Sequence, residues 1–100
     1  MALASITQPV RYNALITNTT ITTGGTAQTI SAANPARSIL HIQNTSDTTM
    51  WVNFGATAAT DLGISIAAAA SYTTPPNFCP TGLISVIGAT TGKKFSYFVR

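Results

Sequence analysis

From residue 19 onward the chain is cut into short runs of alternating apolar and polar residues, each ended by a turn signal. That rhythm leaves room for strands of four to eight residues or so and almost none for helices. In RSILHIQN (37–44), Ser38, Leu40, Ile42 and Asn44 fall on one face, and Arg37, Ile39, His41 and Gln43 on the other. The Leu40 and Ile42 face is the core candidate. In TTMWVNFG (48–55), Met50, Val52 and Phe54 share a face, with Trp51 and Asn53 opposite. The polar residues NTSD between them bond readily to their own backbone and favour a turn, so the two runs read as a β-hairpin.

The same reading extends along the chain. TTITTGGTAQTISA (19–32) reads as strand, Gly24-Gly25 turn, strand, and Pro35 closes that hairpin. GISIA (63–67) and SYTTP (71–75) read as short strands, followed by the proline-rich loop 75–82. LISVIG (83–88) is nearly continuous in apolar residues, the pattern of a strand buried on both faces. ATTG makes a last hairpin turn into KKFSYFVR (93–100), where Phe95 and Tyr97 share one face and Phe98 takes the other. The alanines at 67–70 are the only helix-prone run, and β-branched residues and prolines flank them. Residues 1–19 show weak alternation interrupted by Pro9 and read as an extended N-terminal segment, with a short strand expected around Tyr12 to Ile16. The expectation is an all-β chain: an antiparallel β-sandwich or jelly roll of about seven to nine short strands over residues 20–100.

Composition narrows the function. Charged residues are 7% of the chain, against about 25% in an ordinary soluble domain. The net charge of +3 comes from Arg11, Arg37, Lys93, Lys94 and Arg100 against Asp47 and Asp61. Apart from Lys93-Lys94 the basic residues are scattered, so no stripe tracks phosphates and a nucleic-acid partner is not expected. At 45% hydrophobic, the chain is also unlike a disordered one. A surface of Thr, Ser, Ala, Asn and Gln has few charges to strip of water, which suits a subunit inside an assembly. The single cysteine, Cys79, excludes an intrachain disulfide. The start lacks a basic segment followed by a long apolar core, so no secretion signal is expected. LGISIAAAA (62–70) falls short of the roughly 18 residues a membrane helix needs, so no membrane partner is expected either.

Catalytic chemistry finds few parts. The sole histidine, His41, lies mid-strand and reads as an interior or interface ring held by a hydrogen bond. Cys79 sits in the proline loop with no cationic neighbour in sequence to lower its pKa. Asp47 and Asp61 fall in a turn and a loop, where Asp caps local backbone. One His, one Cys and two Asp do not make a sequence-spaced metal site. Neither TTGGTA nor GATTGKK matches a phosphate loop. The expectation is therefore no enzyme, no cofactor and no metal. Trp51, pointing away from Met50 and Val52, is the candidate for an apolar contact with a partner. As a stacking platform it would instead suit a carbohydrate-binding module, and a second buried face of the monomer would account for it too.

The order ARSILHIQNTSDTTMWVNFG, GISIAAAASY, PTGLISVIGATTG resembles small structural proteins of tailed-bacteriophage virions. The elements carrying the resemblance are Arg37, Leu40, Ile42, Asn44, Phe54, Gly55, Gly82 and Ile84, within residues 36–92. The resemblance implies a β-sandwich that decorates or cements a capsid, usually as a trimer or between capsomers. Its partners would be the major capsid protein and its own copies. It would be made in the host cytoplasm and reside on the virion. Arg11 and Tyr12, in an N-terminal segment able to lie across a neighbour, are then interface candidates beside Trp51. Tail, neck and head-fibre components are the related alternatives.

Overall fold

A computed structural model describes residues 15–75 and 77–100. Among them are eight strands and no helix: β1 (Thr17–Thr20), β2 (Gln28–Ser31), β3 (Leu40–Asn44), β4 (Met50–Phe54), β5 (Ile64–Ile66), β6 (Ser71–Thr73), β7 (Ile84–Gly88) and β8 (Lys94–Val99). They form two antiparallel four-stranded sheets, ordered β1-β8-β3-β6 and β2-β7-β4-β5. The all-β sandwich is as the alternation requires, and the strand order is that of a jelly roll.

The hairpins differ from expectation. Of all consecutive strands, only β4 and β5 stay in one sheet. The runs 37–44 and 48–55 are β3 and β4, in opposite sheets, so NTSD is an arch across the core rather than a hairpin turn. The Gly24-Gly25 turn and the ATTG turn likewise carry the chain from one sheet to the other. The reason is geometric. Alternation states only which side chains face the core, and both a hairpin and an arch turn Leu40, Ile42, Met50 and Val52 inward. Which strand lies beside each is settled by long-range pairing: β3 with β8 and β6, and β4 with β7 and β5. Residues 15 and 16 precede the first strand, whereas a strand was expected to reach back through them; Tyr12 lies outside the described residues.

Between the sheets lie Ile21, Leu40, Ile42, Met50, Val52, Ile66, Ile84, Val86 and Phe95, all almost wholly buried. β7 is buried along its whole length, as its nearly continuous apolar run leads one to expect. Its inner face meets the core. On its outer face Ser85 accepts a hydrogen bond from the Ala58 N–H (3.0 Å), so the 55–63 connection lies against that part of the sheet.

One glycine controls the β4–β5 hairpin. Gly63 has φ +81, and a Cβ there would lie 2.5 Å from the Val52 carbonyl oxygen. Gly63→Ala is expected to cost about 2–4 kcal/mol, combining left-handed strain with a backbone clash. Urea unfolding of the two proteins checks this; an unchanged midpoint would show that the hairpin relaxes freely.

The jelly roll has two distinct ends. Connections 21–27, 45–49, 67–70 and 89–93 form the arch end. It is tied by Ile21 N–H to Lys93 O (2.9 Å), Gly25 N–H to Gly88 O (2.8 Å) and Thr45 Oγ1 to Lys94 O (3.0 Å). Connections 32–39, 55–63 and 74–83 form the loop end. There Asn34 N–H bonds Thr81 O (2.7 Å) and Gly55 N–H bonds Leu83 O (2.7 Å). Residues 15–16 enter β1 at the loop end, because Thr17 pairs with Tyr97 near the finish of β8.

Candidate functional site

Each end is fastened by one buried polar side chain from the motif that carries the resemblance. At the loop end, Arg37 is 5% exposed. Its guanidinium donates to Pro80 O (2.5 Å), Gly82 O (2.9 Å), Ser31 Oγ (2.8 Å) and Ala32 O (2.8 Å). No carboxylate faces it among the described residues, so the charge is held by neutral acceptors. Four acceptors from two separate connections in one planar fork suit arginine and not lysine. Nearby, Gly55 has φ +79, and a Cβ on Gly82 would stand 3.1 Å from the Gly55 Cα. Two glycines are what let those connections cross.

Asn44 does the same at the arch end. It is completely buried. Its Nδ2 donates to Thr48 O (2.7 Å), Ile66 O (3.0 Å) and Ala67 O (3.2 Å). Its Oδ1 accepts from Ser46 N–H (3.0 Å) and Ser46 Oγ (2.6 Å). One amide thus closes the 45–49 arch and fixes the exit of β5. Arg37, Asn44, Gly55 and Gly82 are therefore determinants of the fold, as are Leu40, Ile42 and Ile84 in the core.

The surface is asymmetric. Among the described residues, the large apolar side chains that stand exposed are Leu15 (84%), Ile16 (64%), Leu62 (63%) and Phe78 (55%). Topology places all four at the loop end. Leu15 and Ile16 lead into β1, Leu62 lies between β4 and β5, and Phe78 between β6 and β7. Among the described residues the exposed charges there are Asp61 and Arg100. The arch end instead carries Asp47, Lys93 and Lys94, with Lys93 Nζ 2.6 Å from the Asp47 carboxylate. Scattered exposed apolar residues are normal; these four share one end of the sandwich, although β1 and β5 lie at opposite edges of their sheets.

Leu62 and Phe78 were missed by the sequence reading because they lie outside every alternating run, and Leu15 and Ile16 because a short strand was expected to include them. A signal was there: a Leu and a Phe in glycine- and proline-bounded loops, where no core face claims them.

Of the residues singled out earlier, those described do not converge. Arg11 and Tyr12 lie outside the described residues. Trp51 is half-buried on the outer face of its sheet, paired in register with Ser65 and Ile87. His41 lies on the outer face of the other sheet, its Nδ1 2.6 Å from Thr73 Oγ1 and its ring stacked on Phe98 at 5.4 Å. Cys79 is half-buried beside the Pro80 carbonyl. Asp61 takes φ 65 in its loop, a conformation Asp tolerates. Asp47 and Asp61 sit at opposite ends. Among the described residues no three His, Cys, Asp or Glu gather as a metal site, and no helix is long and apolar enough to cross a membrane.

The Lys93 contact holds the Asp47 carboxyl below its ordinary 3.8, chiefly through the hydrogen bond and then through charge. A lowered folded pKa means that the contribution is present above the unfolded value and is lost as pH falls through the folded one. Asp47→Asn is expected to remove that small part of the acid limb while leaving neutral-pH stability nearly unchanged, because the pair is solvated. Thermal unfolding of both proteins against pH checks it; identical acid limbs would show the contact contributes nothing.

Compared with protein-family models, curated proteins and solved structures, the chain matches none.

Proposed function

We propose that the chain is a non-enzymatic structural subunit of a tailed-phage virion, a capsid decoration or cement protein that docks through its loop end. The observation that carries this reading is the gathering of Leu15, Ile16, Leu62 and Phe78 at one end of a sandwich, in a chain with 7% charged residues. The class of assembly rests on the resemblance of residues 36–92 to small virion proteins. The partners are the major capsid protein and further copies of this chain, and the site of action is the capsid surface. The mechanism is mass action: a subunit that binds only assembled shell stabilises it. Full burial of each exposed apolar side chain supplies roughly 1.5–3 kcal/mol before the costs of association. Multiple copies multiply the effect without strong individual sites.

Co-sedimentation with phage capsids tests the reading. The wild-type chain is expected to pellet with shells, and the Leu62→Ser/Phe78→Ser double variant to stay in the supernatant at unchanged melting temperature. Both residues are exposed, so the fold is spared. Deleting residues 1–12, which carry Arg11 and Tyr12, from the otherwise wild-type chain is expected to weaken pelleting as well. A wild-type chain that never pellets, or a double variant that pellets equally, would overturn docking through this end.

A further inference from the structure

The outward face of the β1-β8-β3-β6 sheet has a composition unlike the loop end. Register aligns Asn18, Ser96, Gln43 and Ser71 in one row across all four strands. Among the described residues, none of these four side chains has a hydrogen-bond partner. Asn18, Gln43 and Ser71 are exposed and Ser96 half-buried, so their polar groups face solvent, unlike those of the buried Asn44 and Ser85. The next row toward the loop end is aromatic, with Phe98 stacked on His41 and His41 bonded to Thr73. The row toward the arch end holds Thr20 and Lys94. Beside it an open groove of about 260 Å³ is lined by Asn18, Thr19, Thr20, Thr45, Lys94 and Phe95. Phe98 and Lys94 are four residues apart on β8, about 14 Å. Lys93 is neutralised by Asp47, but Lys94 has no acidic neighbour on this face among the described residues.

We propose that this face binds an acidic oligosaccharide, with Lys94 and the groove taking the carboxylate, the Asn18–Ser96–Gln43–Ser71 row bonding sugar hydroxyls, and Phe98 with His41 contacting ring carbons. Uncharged amides and hydroxyls exchange hydrogen bonds with a sugar without the cost of stripping charge. Half-buried aromatic rings add apolar contact at a polar surface. A nucleic acid would need several cations along its backbone, and this face supplies one. A protein partner would use a desolvated aromatic or Arg centre, and here the centre is polar. The assignment is independent of the docking end. It also places sugar contact on the sheet opposite Trp51.

The test is NMR titration of the isotopically labelled full chain with sialyllactose, trigalacturonate and lactose. Either acidic sugar is expected to shift the amides of Asn18, Gln43, Ser96 and Phe98, with lactose binding about tenfold more weakly. Lys94→Gln is expected to abolish that difference. Asn18→Ala and Gln43→Ala, both at exposed positions, are expected to weaken every sugar while leaving the fold intact. The assignment is overturned if neither acidic sugar moves these amides by about 10 mM. It also fails if the shifts centre on Trp51, or if the Asn18 and Gln43 variants bind as wild type. Shifts that follow protein concentration alone would make this face a contact between copies and equally overturn it.

Discussion

Arg37→Met is expected to lower stability by about 3–5 kcal/mol, the largest loss of any single side chain outside the apolar core. Methionine keeps much of the aliphatic volume, so the effect isolates the guanidinium. A buried ion pair can often be replaced by apolar residues because both charges leave together. Here the partners of Arg37 are mainly backbone carbonyls, of Ala32, Pro80 and Gly82, and these cannot be removed. Truncation leaves the half-buried Pro80 and Gly82 carbonyls facing an apolar group, and each acceptor left unpaired out of water costs about 1–3 kcal/mol. For a domain of this size the melting temperature should fall by about 15 °C or more. Arg37→Lys should recover little, since one ammonium cannot reach acceptors spread around a planar fork. The Phe78 loop runs into this staple, and the Leu62 loop begins at Gly55, whose N–H bonds Leu83 O beside it, so shell binding should fall along with stability. A melting temperature within about 5 °C of wild type for Arg37→Met would show that the loop end holds without it.

Most of the sandwich was legible because its signals are local. Leu40 with Ile42 and Met50 with Val52 state which side chains face inward, and the nearly continuous apolar run of β7 states that it is covered on both faces, whatever the topology. Sheet membership is not local. An arch and a hairpin use the same polar turn chemistry, so NTSD, Gly24-Gly25 and ATTG could not reveal that each crosses the core. The candidate site was less legible still. Arg37 and Asn44 stood out in the motif, yet their longest-range bonds reach carbonyls 45 and 23 positions away. The row Asn18–Ser96–Gln43–Ser71 joins four segments spread over most of the chain, and only pairing register brings it together.

Asn44→Asp provides the second large effect, and its sign with pH identifies the cause. The substitution changes one NH₂ into an oxygen. That oxygen would face the carbonyls of Thr48, Ile66 and Ala67 in a site with no solvent access. A carboxylate there loses its donors and meets three acceptor dipoles, so the expected loss at neutral pH is about 3 kcal/mol or more. Burial and carbonyl repulsion both raise its folded pKa above the unfolded value of about 3.9. The folded state then binds more protons than the unfolded state, so stability rises as pH falls through the folded pKa toward the unfolded one. The protonated carboxyl regains one donor for the carbonyl cluster. This trend opposes that of Asp47, whose lowered folded pKa makes acid destabilising. Asn44→Ala, without a titrating group, should lose comparable stability with the wild-type pH profile. Chemical unfolding of the three proteins between about pH 7 and pH 4 separates the cases. If Asn44→Asp showed no gain in acid relative to Asn44→Ala, the amide's donors would not be what closes the arch end.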